Sequence, residues 1–132
     1  GLELGCVGGF LALTPWGDAR GVARVAANCV TGLDALRAPP SEAELARRRR
    51  GGLSDRQEAL LQRWGYPHVM EEFRFHLTLT GRLPAKEISH WTQAVRAHLP
   101  DLPAPFVMDP VALMGEREDG YFELIQRYAL AG

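Results

Sequence analysis

Residue types suited to proton transfer and anion binding lie close together between Phe73 and Thr80. The segment reads Phe-Arg-Phe-His-Leu-Thr-Leu-Thr, and its strict alternation of apolar and polar residues predicts a β-strand. Successive side chains of a strand point to opposite faces, so one face would be apolar and would pack on the core. The other face would carry Arg74, His76, Thr78 and Thr80.

These four groups could cleave or hold a phosphate ester without a metal ion. The imidazole of His76 can exchange a proton near neutral pH, as a general acid or base must. Thr78 lies two residues further, roughly 6–7 Å along the strand on the same face, where its hydroxyl can donate to a phosphoryl oxygen. Arg74 could hold anionic oxygens through two parallel hydrogen bonds, with Thr80 as a supporting group.

The same pattern also fits a strand with an ordinary solvated face. Many half-buried strands expose a polar side, and threonine is a good strand former. On the alternation alone the solvated face is the stronger interpretation. The case for chemistry therefore depends on the residues around the strand.

Those surrounding residues resemble a known family. Phe75–Leu79 is similar to the His-x-Thr/Ser-x motif of the two-histidine (2H) phosphoesterase superfamily. The longer stretches Arg63–Pro67 and Met70–Gly81 resemble the C-terminal part of an uncharacterised branch of that superfamily, encoded in phosphonate-utilisation operons. The resemblance covers most of the chain, because further segments also fit the branch. They are Arg37–Pro39, Glu44–Arg48 and Leu53–Glu58.

The resemblance implies a fold and a mechanism. Members of the superfamily have two similar lobes, each with one His-x-Thr/Ser motif, and the two histidines flank a phosphodiester that is usually cyclic. One histidine acts as general base and the other protonates the leaving oxygen. The hydroxyls hold the phosphate, and neither a metal nor another cofactor takes part. His76 and Thr78 match one such motif residue by residue, so they are the expected catalytic residues.

A second motif of this kind is not found on any predicted strand. His90-Trp91-Thr92 has the spacing, but it lies in a segment with helical periodicity. Residues two apart on a helix point about 200° apart and cannot share a face. The family's first motif normally lies upstream of a strand such as 5–14. We therefore expect this chain to be the C-terminal part of a longer protein, with either an N-terminal lobe or a second copy completing the site.

Two other features allow alternative interpretations. Tyr66 precedes the motif in a loop, where it could bind or stack on a substrate or could be a partly buried loop aromatic. The four arginines of Arg47–Arg50 could bind nucleic acid or phosphate, but a solvated helix end is the more typical role. Glu44 and Arg48 have the spacing of an i,i+4 ion pair. In the family interpretation this segment would close over the substrate, which keeps Arg47 and Arg48 as phosphate-binding candidates.

The composition of the 132-residue chain is that of an ordinary globular protein, with 46% apolar and 23% charged residues. Its formal net charge of -1 argues against binding nucleic acid by bulk electrostatics. Cys6 and Cys29 have apolar neighbours and no metal-ligand spacing, so we expect buried thiols in a reducing compartment. The sequence shows no membrane-spanning run and no signal peptide, which predicts a cytoplasmic protein.

Periodicity and turn residues predict an α+β fold. Strands are expected at 5–14, 73–80, 106–114 and 121–130, with a turn at Glu118–Gly120. Helices are expected at 19–36, after the capping residues Ser41 and Ser54, and at 85–99. This order suggests one domain, 1–132, with helices packed on a mainly antiparallel sheet of about four strands. The resemblance implies that this domain forms one lobe of a bilobal 2H-type fold, with a helical insert at about 38–66.

Three functions are compatible with these observations. The first is a metal-independent phosphoesterase lobe that acts on a cyclic or strained phosphodiester of a small sugar phosphate or nucleotide, in phosphonate metabolism by resemblance. The second is a non-catalytic domain that binds a phosphate ligand. The third is a relative that processes RNA ends, against which the slightly acidic net charge argues mildly.

Overall fold

The computed structural model describes residues 1–130. Within that range, five strands and four α-helices follow one another as β1 (Leu2–Val7), β2 (Phe10–Pro15), α1 (Arg20–Leu33), α2 (Glu42–Arg49), α3 (Asp55–Trp64), β3 (Leu77–Thr78), α4 (Ile88–His98), β4 (Pro110–Glu116) and β5 (Phe122–Ala129). The strands form two antiparallel sheets, in the orders β1-β2-β3 and β4-β5. The predicted α+β class is confirmed, although the strands divide into two sheets where one was expected.

The segment predicted as a single first strand is a β-hairpin. β1 and β2 pair antiparallel along their whole length. Gly8 and Gly9 form the turn between them with φ of 56° and 90°. A two-residue hairpin turn requires positive φ, which glycine adopts without a steric penalty. The glycines therefore reverse the chain in the middle of the segment 5–14 that was predicted as one strand.

The core of the described chain centres on β2 and α3. Its buried apolar side chains are Leu2, Leu11, Ala12, Leu13, Leu60, Leu61 and Val69. Helix α3 begins with a complete capping box, as predicted: Ser54 Oγ accepts from Gln57 N, and the Gln57 side chain accepts from Ser54 N. At α2 only half of the predicted box forms: Ser41 Oγ accepts from Glu44 N, while the Glu44 carboxylate accepts from Arg48. The two capping serines therefore mark where both helices of the predicted insert begin.

Apolar residues recur at helical spacing from Val22 to Leu33, and this apolar stripe of α1 is poorly covered. No residue of this helix is buried, and Leu33 near its end is 58% exposed. Cys29 on the stripe is exposed, and so is Cys6 on β1. The prediction of buried thiols is therefore wrong, because helical spacing defines an apolar face but not what packs against it. No helix within residues 1–130 is both long and apolar enough to cross a membrane.

The β4–β5 hairpin also exposes most of its apolar side chains. The predicted turn is confirmed, since Arg117 N donates to Tyr121 O at 2.9 Å and Gly120 has a φ of 81°. The exposed apolar residues of the hairpin are Leu113, Met114, Tyr121, Phe122, Leu124, Ile125 and Tyr128. A two-stranded sheet is marginally stable alone, and an exposed apolar patch of this kind usually marks an interaction site.

Candidate functional site

The strand predicted at 73–80 is regular over two residues only. β3 pairs antiparallel with β2, with Thr78 opposite Ala12 and Leu77 opposite Leu13. Residues 73–76 lead into it without regular secondary structure. His76 thus stands directly before the strand, and Thr78 stands on it.

Thr80 ends the strand by using its side chain as a main-chain partner. Leu79 N donates to Leu11 O at 2.9 Å, but Leu11 N donates to Thr80 Oγ1 at 3.0 Å. The Thr80 hydroxyl in turn donates to Gly81 O at 2.9 Å. A hydroxyl has one hydrogen to donate, so Thr80 has none left for a phosphate oxygen in this arrangement. The Thr80 side chain thus ends the hydrogen-bonded pairing of β2 with β3. Its role in substrate binding stays a prediction.

The main chain fixes the orientation of the His76 ring. Nδ1 lies 2.8 Å from Arg74 O, and a carbonyl oxygen can only accept a hydrogen bond. Nδ1 must therefore carry a proton, which leaves Nε2 of the neutral ring with a free lone pair. The ring also lies against Phe10, with centroids 5.6 Å apart. Since His76 is exposed, Nε2 can take a proton from water or, once protonated, give one to a leaving group.

His76 lines a cleft of about 610 Å³ beside the start of α1. Asp18, Ala19 and Arg20 also line the cleft, and so does Thr14 of β2. The volume falls within the range of small-molecule sites. An imidazole at the wall of such a cleft is placed to meet a bound ligand.

Thr78 lies on the face of the sheet that borders this cleft. It is opposite Ala12, and Thr14, two residues further along β2, shares the face of Ala12 and lines the cleft beside His76. Thr78 is exposed, and its hydroxyl has no protein hydrogen-bond partner within residues 1–130. The structure therefore brings His76 and Thr78 to one side of the sheet, with the threonine next to the cleft and not among its lining residues.

Arg74 is the third predicted residue at this cleft. Its Nη1 donates to Glu71 O at 2.7 Å and to Phe73 O at 2.9 Å, while the side chain is exposed. These bonds occupy one of the three guanidinium nitrogens, so Nε and Nη2 remain for an anionic oxygen. No carboxylate of residues 1–130 forms an ion pair with Arg74.

The other arginine at the cleft is neutralised by its neighbour. Arg20 donates to both carboxylate oxygens of Asp18, with its Nη2 2.6 Å from Oδ2. The side-chain hydrogen bonds from Arg20, and then the bond from its backbone amide, lower the pKa of Asp18 to about 2. Asp18 is therefore ionised at neutral pH, and the pair adds little net charge. Arg74 is the arginine on the cleft's lining that has no carboxylate partner within residues 1–130.

Tyr66 lies away from His76 and against α2. Arg48 Cζ is 4.7 Å from the centroid of the Tyr66 ring, and His68 meets the ring edge-on at 5.7 Å between centroids. Tyr66 lines a second cleft, of about 320 Å³, together with Arg37 and Arg48. The structure does not bring Tyr66 together with His76, and its predicted contact with a substrate stays untested.

The apolar residues that alternate with the motif are less buried than expected. Leu77 is 42% exposed and Leu79 is 41% exposed, so the prediction of a core face is wrong there. The physical reason is that β3 is an edge strand whose outer side is not covered by the described chain. Earlier in the segment the packing is better, since the rings of Phe75 and Phe106 lie 5.5 Å apart.

The rejected second motif lies on a helix, as predicted. His90-Trp91-Thr92 is in α4, where Thr92 Oγ1 donates to Ile88 O at 2.7 Å and His90 is exposed. His76-Leu77-Thr78 is thus the one His-x-Thr motif among residues 1–130 whose threonine lies on a strand. In the same range, no group of three or more His, Cys, Asp or Glu side chains could hold a metal ion.

Sequence reasoning missed two contributors to the His76 cleft. Thr14 lines the cleft because β2 is paired with β3, next to His76. Arg20 lines the cleft from the start of α1. A Gly-Gly pair between two apolar runs is a hairpin signal, and it could have placed Thr14 on a strand of its own. Nothing in the local sequence brings Arg20 to the cleft, because that contact depends on tertiary packing.

Comparisons with known proteins bear on the family. The family model described as "Protein of unknown function (DUF1045)" matches residues 1–123. Two curated relatives carry the name ribose 1,5-bisphosphate phosphokinase PhnN. One, from Janthinobacterium sp. (strain Marseille), is 57% identical over 74 residues, which are 56% of this chain and 16% of that protein. The other, from Laribacter hongkongensis (strain HLHK9), is 43% identical over 90 residues, which are 68% of this chain and 20% of that protein.

The matched part is therefore a fifth or less of the length of these two relatives. No solved structure matches the chain.

Proposed function

The chain belongs to the DUF1045 family, and from that premise we propose that it carries one half of a metal-independent phosphodiesterase site of the two-histidine (2H) type. The proposed substrate is a cyclic or strained phosphodiester of a small sugar phosphate or nucleotide. The observation that supports this most is the arrangement of His76. Its exposed ring has a fixed tautomer, lines a ligand-sized cleft and directly precedes the strand that carries Thr78.

In the proposed reaction, His76 Nε2 takes a proton from water as the water oxygen forms a bond to phosphorus. The bond from phosphorus to one ester oxygen breaks, and a second acid protonates that oxygen. The Thr78 hydroxyl donates to a non-bridging oxygen, and Arg74 offsets its charge. Nδ1 donates to Arg74 O in both the neutral and the protonated ring, so the ring keeps its orientation throughout.

The second proton-transfer group is proposed to come from an N-terminal lobe or from a second copy of the chain. Two observations support this. His76 belongs to the one strand-borne motif of the described chain, and the apolar side chains of Leu77 and Leu79 beside it are exposed. A partner placed against this edge would bury them and would bring its own histidine to the cleft.

The proposed context is phosphonate metabolism in the cytoplasm. It rests on the resemblance of Arg63–Pro67 and Met70–Gly81 to a branch encoded in phosphonate-utilisation operons. Relatives named for a ribose bisphosphate agree with a phosphorylated sugar as substrate. Cyclic phosphates of ribose are therefore the first compounds to test.

A non-catalytic phosphate-binding domain is the second candidate. It is favoured by the single strand-borne motif within residues 1–130, because one imidazole supplies one proton-transfer group. Such a domain would bind a cyclic phosphate at the His76 cleft and release it unchanged.

Turnover of cyclic ribose phosphates and 2′,3′-cyclic nucleotides by the full-length protein, with EDTA present, separates the two candidates. We expect the enzyme to hydrolyse at least one of them, and His76→Ala to lower kcat by about 10²–10⁴-fold. His90→Ala is the matched control, since His90 is an exposed histidine on α4 and does not line the cleft. Binding of these compounds without turnover would instead favour the non-catalytic domain.

A further inference from the structure

We infer that the second cleft, beside α2, binds a phosphate monoester through Arg37 and Arg48. The cleft has a volume of about 320 Å³, near the lower end of the range of small-molecule sites. It shares no lining residue with the His76 cleft. The inference is therefore independent of the proposed activity.

The guanidinium of Arg48 is held in place by its neighbours. Its Cζ lies 4.7 Å above the Tyr66 ring, and its Nη2 donates to Glu44 one turn earlier on α2. The side chain is 23% exposed, and Nε is buried without a hydrogen-bond partner. A buried unpaired donor is destabilising, and such groups in native structures call for an explanation beyond stability. The contact with the Tyr66 ring and the ion pair with Glu44 hold the Arg48 guanidinium in one position, as an anion-binding site requires.

Arg37 brings a second guanidinium to the same cleft. Its Nε donates to Asp34 Oδ1 at 2.9 Å, and its Nη2 donates to Arg63 O at 3.4 Å. Its Nη1 lies where Gly65 leaves room, since a Cβ on that glycine would be 2.8 Å away. Neither Nη1 of Arg37 nor Nη1 of Arg48 has a protein acceptor within residues 1–130. Two arginines therefore offer free donors to one small space.

The charged groups around the cleft leave an excess of positive charge. Asp34 is shared between Arg37 and Arg63, and Glu44 pairs with Arg48. Three guanidinium groups thus meet two carboxylates, which leaves one net positive charge and favours an anionic ligand. Phosphate oxygens suit paired guanidinium donors.

The remaining walls suit the organic part of the ligand. Trp64, Tyr66 and Pro40 line the cleft together with the two arginines. Apolar and aromatic walls with a few placed polar groups are typical of small-molecule sites. The volume leaves room for a group of the size of a pentose beside the phosphate. A sugar phosphate monoester is therefore the ligand class that we expect.

Isothermal titration of the full-length protein in phosphate-free buffer tests the inference, with ribose 5-phosphate as the probe and ribose as the neutral control. We expect ribose 5-phosphate to bind and ribose to give no signal. Arg48→Gln should weaken the affinity at least about tenfold, because a charged, forked donor is lost. Arg47→Gln makes the same change of charge at an exposed neighbour on α2 that does not line the cleft, and it should change the affinity less than about twofold.

Two further variants keep the test decisive. If Arg48→Gln unfolds the protein, Arg48→Lys retains the charge but loses the fork, and it should also weaken binding. Arg74→Gln removes a cation from the His76 cleft and should leave this binding event unchanged. The inference is overturned if ribose 5-phosphate does not bind, if the Arg47 and Arg48 variants bind alike, or if Arg74→Gln abolishes binding.

Discussion

Replacing Thr80 by valine should destabilise the sheet. Valine keeps the branched shape but removes the hydroxyl that accepts from Leu11 N at 3.0 Å and donates to Gly81 O at 2.9 Å. Leu11 is 1% exposed, so its amide has little access to water, whereas Gly81 is exposed and its carbonyl can turn to solvent. An unpaired buried donor costs about 1–3 kcal/mol, and one such amide is left here. We therefore expect the free energy of unfolding to fall by about 1–2 kcal/mol.

Urea unfolding followed by far-UV circular dichroism measures this loss. The midpoint should fall by roughly 0.5–1 M with an unchanged slope. Thr78→Val is the matched control, because the Thr78 hydroxyl is exposed and has no protein partner within residues 1–130. Its free energy of unfolding should change by less than about 0.5 kcal/mol, while turnover of the substrate should fall. Equal midpoints for the two variants would refute the assignment of the Thr80 hydroxyl to the sheet.

Asp18→Asn should lower the thermal stability at neutral pH, because hydrogen bonds from Arg20 hold the pKa of Asp18 at about 2, below its usual 3.8. Its stabilising effect is complete above pH 3.8 and is lost as the pH falls to about 2, so a difference in Tm that persists at the lowest pH would contradict the pairing. Gly65→Ala should destabilise by at least about 1 kcal/mol, because its φ is 74° and the new Cβ would meet a guanidinium. Gly51→Ala is the control, because the new Cβ would have open space around it, and its urea midpoint should stay nearly unchanged. Equal losses of stability in the Gly65 and Gly51 variants would contradict the proposed strain at Gly65. Phe122→Ser should reduce self-association, because this ring is 65% exposed on the β4–β5 hairpin. Light scattering at high concentration measures the effect. A wild-type protein that stays monomeric would contradict self-association through that hairpin.

The place of the His-x-Thr motif next to a strand could be predicted from the sequence, but the length of that strand could not. The alternation around His76 is a local signal, and β3 does form where it indicates. The extent of pairing depends on a distant residue, since the Thr80 hydroxyl takes the amide of Leu11 and ends the ladder. No pattern within the segment encodes that contact.

The helices show the same division between local and distant causes. Ser41 and Ser54 were recognised as helix starts because capping is a contact between residues three apart. The second cleft could not be predicted in this way, because it depends on contacts between residues far apart in the sequence. Arg48 contacts Tyr66, and Arg37 contacts Gly65, from the other side of α3 in the sequence. Periodicity likewise marked an apolar stripe on α1 without saying what covers it, so the exposure of Cys29 was unexpected.

The central claim is that the His76 imidazole transfers a proton at a phosphodiester, and chemical rescue tests it most directly. The measurement is the turnover of a cyclic ribose phosphate by full-length His76→Ala protein, with EDTA, before and after imidazole is added. We expect the variant to be nearly inactive and imidazole to restore part of the turnover, because a free base can enter the exposed space that the ring leaves. His76→Ala protein that turns over as fast as the wild type would contradict the claim.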